Sequence, residues 1–158
     1  MIMDFEKPVK RIKPEESRLI YIAGPFDQRD QAKRVKDALE KEGHVVTSTW
    51  ITSHLDALDE IDPETAEREA LHDLLAIRRA DLVVFLNGQS TSGGMHVEMG
   101  YAIAAGKPIL LVGEPTSIFH HLKSVRVING LGNLIPVILD AITRYYGVSQ
   151  TGAAQRAI

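Results

Sequence analysis

The run Leu82-Val83-Val84-Phe85-Leu86 carries no polar residue at any position. A strand with one wet face alternates apolar and polar side chains, so an unbroken run of this kind must be covered on both faces. Leu19-Ile20-Tyr21-Ile22-Ala23, closed by Gly24-Pro25, and Ile109–Val112 read the same way. Helical spacing fills the intervals. From Asp27 to Glu42 the stripe is Ala32, Val35 and Leu39, with Gly43 as its stop. Asp62-Pro63 suits an N-cap followed by proline at the first helical position, opening a helix to about Arg79. A third helix is expected from about Met95 to Ala105, ended by Gly106 with Pro108 beyond. Val45–Thr49 reads as a second strand, Val125–Ile128 as a short fifth, Leu134–Tyr146 as a final amphipathic helix, and Trp50–Asp62 as a polar loop. Strands that alternate with helices in this way indicate an α/β fold with a parallel sheet, five-stranded and helix-covered on both faces.

At 158 residues the chain suits one domain, over 18–146, between an arm at 1–17 that carries Pro8 and Pro14 and a small, polar tail at 147–158 read as disordered. With no cysteine there is no disulfide scaffold, iron–sulfur site or thiol nucleophile, and a reducing, cytoplasmic setting is expected. A net charge of −3 argues against a general nucleic-acid surface. No apolar stretch is long enough to span a bilayer, and the first residues lack the apolar core of a signal peptide.

Ligands of open parallel sheets bind at the carboxyl ends of the strands, which directs attention to the loops after Ala23, Thr49 and Leu86. The last is Ser90-Thr91-Ser92-Gly93-Gly94-Met95-His96-Val97-Glu98, a hydroxyl- and glycine-rich loop entering a helix, whose backbone N–H groups can hold an anion or simply turn the chain. It is neither a Walker A loop nor a dinucleotide fingerprint. Glu98 lies near that helix's start, where the macrodipole favours its ionised form; it is an ordinary helix-start acid or a nucleophile or base at the sheet's mouth. Asp73 interrupts the stripe Ala66, Ala70, Ile77. Either it is buried and used, or the helix is turned so that it meets solvent, Arg78 or Arg79. Tyr21 fills core or sends its hydroxyl to the strand end. Gly24-Pro25-Phe26 lets backbone approach a ligand, and Trp50 either stacks on a planar ligand or caps the core. The six histidines show no zinc spacing and no metal is expected; His96, within the loop, is a possible substrate contact.

Tyr21-Ile22-Ala23-Gly24-Pro25-Phe26, then Asp73, Ala80-Asp81-Leu82-Val83-Val84, and Gly94…Glu98-Met99-Gly100-Tyr101-Ala102…Gly106-Lys107-Pro108 resemble, in order, the motifs of the nucleoside 2-deoxyribosyltransferase superfamily, over roughly residues 19–125. The resemblance implies a flavodoxin-like (Rossmann-like) three-layer sandwich and cleavage of the N-glycosidic bond of nucleosides or their monophosphates. It implies no cofactor, a small-molecule substrate and a homo-oligomer. Glu98 matches the attacking glutamate, Tyr21 the tyrosine beside it, and Asp73 the aspartate that handles the base or its proton. The position six residues before the glutamate is typically an acid in the transferases and a phosphate-holding serine in the monophosphate hydrolases; here it is Ser92. Ser92, Gly93 and Gly94, with Arg29 from the first loop, are therefore expected at a 5′-phosphate, although His96 stands where a glycine is common. Ser117, His120 and His121 are expected to reach a neighbouring subunit's site. Hydrolysis of a nucleoside 5′-monophosphate is favoured over base exchange between deoxynucleosides, with a non-catalytic nucleotide sensor as the third reading.

Overall fold

The computed structural model describes residues 16–53, 61–88, 90, 92–129 and 133–154. The expected arm lies outside the described residues apart from Glu16 and Ser17, as do residues 54–60 of the polar loop and 155–158 of the tail. Five strands form one sheet: β1 (Leu19–Ala23), β2 (Val45–Val46), β3 (Leu82–Leu86), β4 (Ile109–Val112) and β5 (Val125–Ile128). All pair in parallel, in the order β2-β1-β3-β4-β5. Every residue of β3 and β4 is buried, as their unbroken apolar runs require.

The helices are α1 (Arg29–Lys41), α2 (Pro63–Arg79), α3 (Gly93–Ala104) and α4 (Leu134–Ala154). The chain leaves β1 in one direction, to β2, and then returns past it to β3. With right-handed crossovers this reversal puts α1 on one face and α2 and α3 on the other. The packing agrees: α1 lies against α4, and α2 against α3. The loops after β1 and β3 diverge at the reversal and open a crevice beyond the strand ends, where this fold binds its ligands.

Three boundaries differ from the sequence reading. β2 stops at Val46 instead of Thr49 because side chains take over the pairing: Ser48 Oγ accepts from the Ile22 N–H at 2.6 Å and donates to the Ile22 carbonyl at 3.0 Å, and Trp50 Nε1 donates to the same carbonyl at 2.7 Å. α3 begins at Gly93 because Ser92, in extended conformation, is its N-cap; its Oγ accepts from the Met95 N–H at 3.3 Å. α4 continues past Tyr146 to Ala154, through the segment read as a disordered tail. A single glycine such as Gly147 costs about 1 kcal/mol in a helix and does not by itself end one. The stops at Gly43 and Gly106 are as expected; both have positive φ, 97° and 68°.

Candidate active site

Strand alternation turns Tyr21 toward the α2–α3 side of the sheet, and its register opposite Val83 places it near the crevice. Its ring is fully buried, yet its hydroxyl donates to Oε1 of Glu98 at 2.8 Å. Both readings of Tyr21 hold, since the ring fills core and the hydroxyl reaches a carboxylate. The hydroxyl also faces Asp73 from α2. One hydroxyl has one proton to give. While it donates to Glu98, its oxygen can accept only from a protonated Asp73, so the trio is best satisfied when one carboxyl is ionised and the other is not.

Both carboxyls are raised, and at Glu98 burial outweighs the preference for the ionised form expected of a helix-start acid. Burial pushes the Glu98 carboxyl up to about 7, with the Asp73 charge adding and the Tyr21 hydrogen bond opposing. Asp73 is also raised, first by burial and further by the nearby Glu69 carboxylate, against the Tyr21 hydroxyl and His72. Tyr21 itself is raised far beyond the ordinary phenol range, first by burial and then by the two carboxylates, so it remains a donor. Among the described residues Asp73 makes no ion pair with Arg78 or Arg79. Two raised carboxyls that share one tyrosine hydroxyl are the kind of perturbed group on which acid–base and nucleophilic chemistry is built.

Glu98 and Asp73 open into a cavity of about 430 Å³. Gly24, Phe26, Trp50 and Ser53 form one side, Ile61, Ala66, Glu69 and Ala70 another, and Ser92, Gly93, Gly94 and Met95 a third. Phe26 and Trp50 meet edge to face, with ring centroids 5.9 Å apart, so an aromatic pair borders the space. A Cβ on Gly24 would lie 3.3 Å from Leu86 Cβ and 3.7 Å from the Trp50 ring, which brings the backbone close at this bend. The α3 end differs: a Cβ on Gly93 would meet nothing, and on Gly94 only Ser92 Oγ at 3.9 Å. The protein's own packing does not demand glycine there, so the room is left on the cavity side.

The sequence profile of the family described as Nucleoside 2-deoxyribosyltransferase matches residues 20–130. The chain belongs to the nucleoside 2-deoxyribosyltransferase family. Among solved structures, a 2-deoxyribosyltransferase from Bacillus psychrosaccharolyticus superposes with a TM-score of 0.60 at 24% identity, over 71% of this chain and 86% of that one. The CMP N-glycosidase BcmB of Clostridium botulinum superposes with a TM-score of 0.55 at 24% identity, over 78% and 98%. These two likenesses are of fold. A search of curated protein sequences returns no match. Membership in the nucleoside 2-deoxyribosyltransferase family makes the chain an enzyme acting on nucleosides or nucleotides at the N-glycosidic bond.

The remaining expected site residues of this family member divide by place. Pro25 is buried behind the bend, and the Arg29 guanidinium lies 5.3 Å from the Phe26 ring, beside the cavity's edge. His96, although on α3, is exposed and does not line the cavity; its charge is felt instead by His120. His120 is 2% exposed and packs against Phe85, and its Nδ1 accepts from the Thr116 N–H at 3.0 Å. Burial, and then His96 and His121, lower its pKa. Ser117 caps the short 3-10 turn Ile118–His121 by accepting from the Phe119 N–H. Within one chain, then, His120 and Ser117 are engaged locally, and only His121 of the three faces outward. Among the described residues no group of three or more His, Cys, Asp or Glu could hold a metal ion, and no helix is long and apolar enough to cross a membrane.

Sequence reasoning did not single out Ser53, Ile61, Glu69 or Met95. Ala66 and Ala70 were placed on the stripe with Asp73, and Glu69 is one turn before Asp73, so helical spacing could have found it.

Proposed function

We propose that this enzyme hydrolyses the N-glycosidic bond of a nucleoside 5′-monophosphate, with Glu98 as nucleophile. The Glu98 carboxylate, aligned by the Tyr21 hydroxyl, attacks the anomeric carbon; a C–O bond forms as the C–N bond breaks. The departing base takes its proton from the Asp73 carboxyl. Water then attacks the glycosyl–glutamate ester, gives its proton to the Asp73 carboxylate, and releases sugar 5-phosphate and free Glu98. The positive charge that develops on the sugar is met by a carboxylate already in place.

The observation that carries the phosphate reading is the third side of the cavity. There the start of α3 presents Ser92, Gly93 and Gly94 and no carboxylate. Backbone N–H groups at a helix start and a serine hydroxyl suit a phosphate, while an acid would repel it. Ser92 Oγ accepts from Met95 N–H as a cap, which leaves its own O–H free to donate outward.

The test is kcat/KM for a monophosphate against its nucleoside. The wild type is expected to prefer the monophosphate. Ser92→Ala should lose about tenfold on the monophosphate and little on the nucleoside, as expected for one charge-assisted hydrogen bond. Ser92→Asp keeps a good N-cap but adds a negative charge, so it should reverse the preference without unfolding α3. A wild-type preference for the nucleoside, or base exchange that outruns hydrolysis, would establish the transferase instead. Release of no base from either would establish a sensor.

A homo-oligomer, most simply a two-fold dimer, belongs to the same reading. Leu71 and Leu75 on α2 and Val97 on α3 are 51%, 46% and 63% exposed on the helical layer beside the cavity. Gly100 and Ala104 are also exposed, whereas Ala102 is spent on the core. Light scattering at micromolar concentration should give at least twice the chain mass; a fully active monomer would refute the assignment.

A further inference from the structure

We propose that Glu69 is a positioning residue for the leaving-group acid: its carboxylate, one helical turn before Asp73 on the wall of the same cavity, keeps the Asp73 proton in place for delivery to the departing base. The inference rests on the reading of Asp73 as that acid. Residues four apart on a helix are neighbours on one face, and both side chains line the cavity. Like charges at this spacing repel, so the ionised member of the pair disfavours ionisation of the other.

The two carboxyls have different surroundings. Tyr21 faces Asp73 from β1, and Asp73 in turn presses on Glu98 of α3. Among the described residues His72, on α2, is the group that opposes with positive character. Glu69 has a cation within reach, Arg68 Nε at 3.9 Å, itself more than half exposed. Burial raises the Asp73 carboxyl, and the neighbouring Glu69 carboxylate adds to that rise. Among the described residues no arginine or lysine lines the cavity to reverse this. A carboxylate on a cavity wall is otherwise an awkward neighbour for a substrate that brings a phosphate. Its place on the α2 wall, with the α3 start forming a separate side, puts that charge where a proton has to be retained.

The experiment compares wild type, Glu69→Gln and Glu69→Asp. Two substrates are used: a natural nucleoside monophosphate, and 4-nitrophenyl deoxyriboside 5-phosphate, whose phenolate leaves without a proton. The Asp73 carboxyl is followed separately by carbon-detected NMR titration of the unliganded protein. In Glu69→Gln the Asp73 titration and the pH optimum for the natural substrate should both move to lower pH by about 0.5 or more. Turnover of the natural substrate at pH 8 should fall several-fold, and turnover of the nitrophenyl substrate should be unchanged. Glu69→Asp, which retains the charge, should restore most of the wild-type profile. An Asp73 titration unmoved in Glu69→Gln, or equal losses on the two substrates, overturns the proposal while leaving the reading of the site intact. A wild type that cleaves neither substrate overturns the reading of the site and the proposal with it.

Discussion

Glu98→Gln should abolish glycosidic cleavage and leave the fold intact. Glutamine keeps the length of the side chain, and its amide oxygen can still accept the 2.8 Å bond from the Tyr21 hydroxyl. What it lacks is the anion that attacks the anomeric carbon and faces the charge on the sugar. Loss of both should cost on the order of 4 kcal/mol or more in the barrier, at least a thousandfold in kcat. Single-turnover assays with the monophosphate check this, and near-normal turnover would remove Glu98 from the mechanism.

The same variant should be more stable than wild type at high pH. The Glu98 carboxyl is raised from 4.5 to about 7 by burial, so the folded protein resists its ionisation while the unfolded chain does not. Above pH 4.5 the unfolded state loses its proton first, and wild-type stability declines until the folded carboxyl also ionises near 7. Glutamine has no such loss. Denaturant unfolding at pH 8 should therefore show Glu98→Gln ahead by on the order of 2 kcal/mol, with no advantage at pH 4. Such a gain on removing a group marks it as kept for chemistry.

How far the sequence carried this reading depended on the kind of signal. β1, β3 and β4 were legible to the residue because strands buried on both faces can only be unbroken apolar runs. β2 was not, because Ser48 and Trp50 replace ladder bonds by side-chain bonds that no periodicity encodes. Asp73 was visible as a break in a stripe and Glu98 as an acid at a helix start, but their meeting at one hydroxyl was not. Tyr21 and Glu98 lie 77 positions apart, and only the pairing of β1 with β3 brings them together. Glu69 was passed over because a charge on a helix face reads as solvated until a cavity is known to lie beside it. His120 was expected to reach a neighbouring subunit's site; its burial against Phe85 follows from the turn after β4, which leaves no pattern in composition.

Asp73→Asn should damage catalysis far more than stability. Asparagine matches the carboxyl in size and keeps an acceptor oxygen, but it has no carboxyl proton to give the base. With natural bases, kcat should fall by about a hundredfold to ten-thousandfold, the usual worth of a general acid. With a leaving group that departs as a stable anion, the loss should be small, because no proton is required. Stability should move the other way. Burial raises the Asp73 carboxyl above its ordinary value of 3.8, so ionising it costs the folded state, and wild-type stability declines as pH rises past that value. The amide in Asp73→Asn does not titrate, and thermal unfolding of that variant at neutral pH should equal or exceed that of the wild type. Paired measurements of kcat for the two leaving groups and of the unfolding midpoint separate the possibilities. A variant that loses stability and keeps its activity would make Asp73 a structural partner of Tyr21. A variant that loses equally on both leaving groups would make it a binding residue. Selective loss on the base that needs a proton, in a protein that unfolds no earlier, is the result the geometry around the Tyr21 hydroxyl leads us to expect.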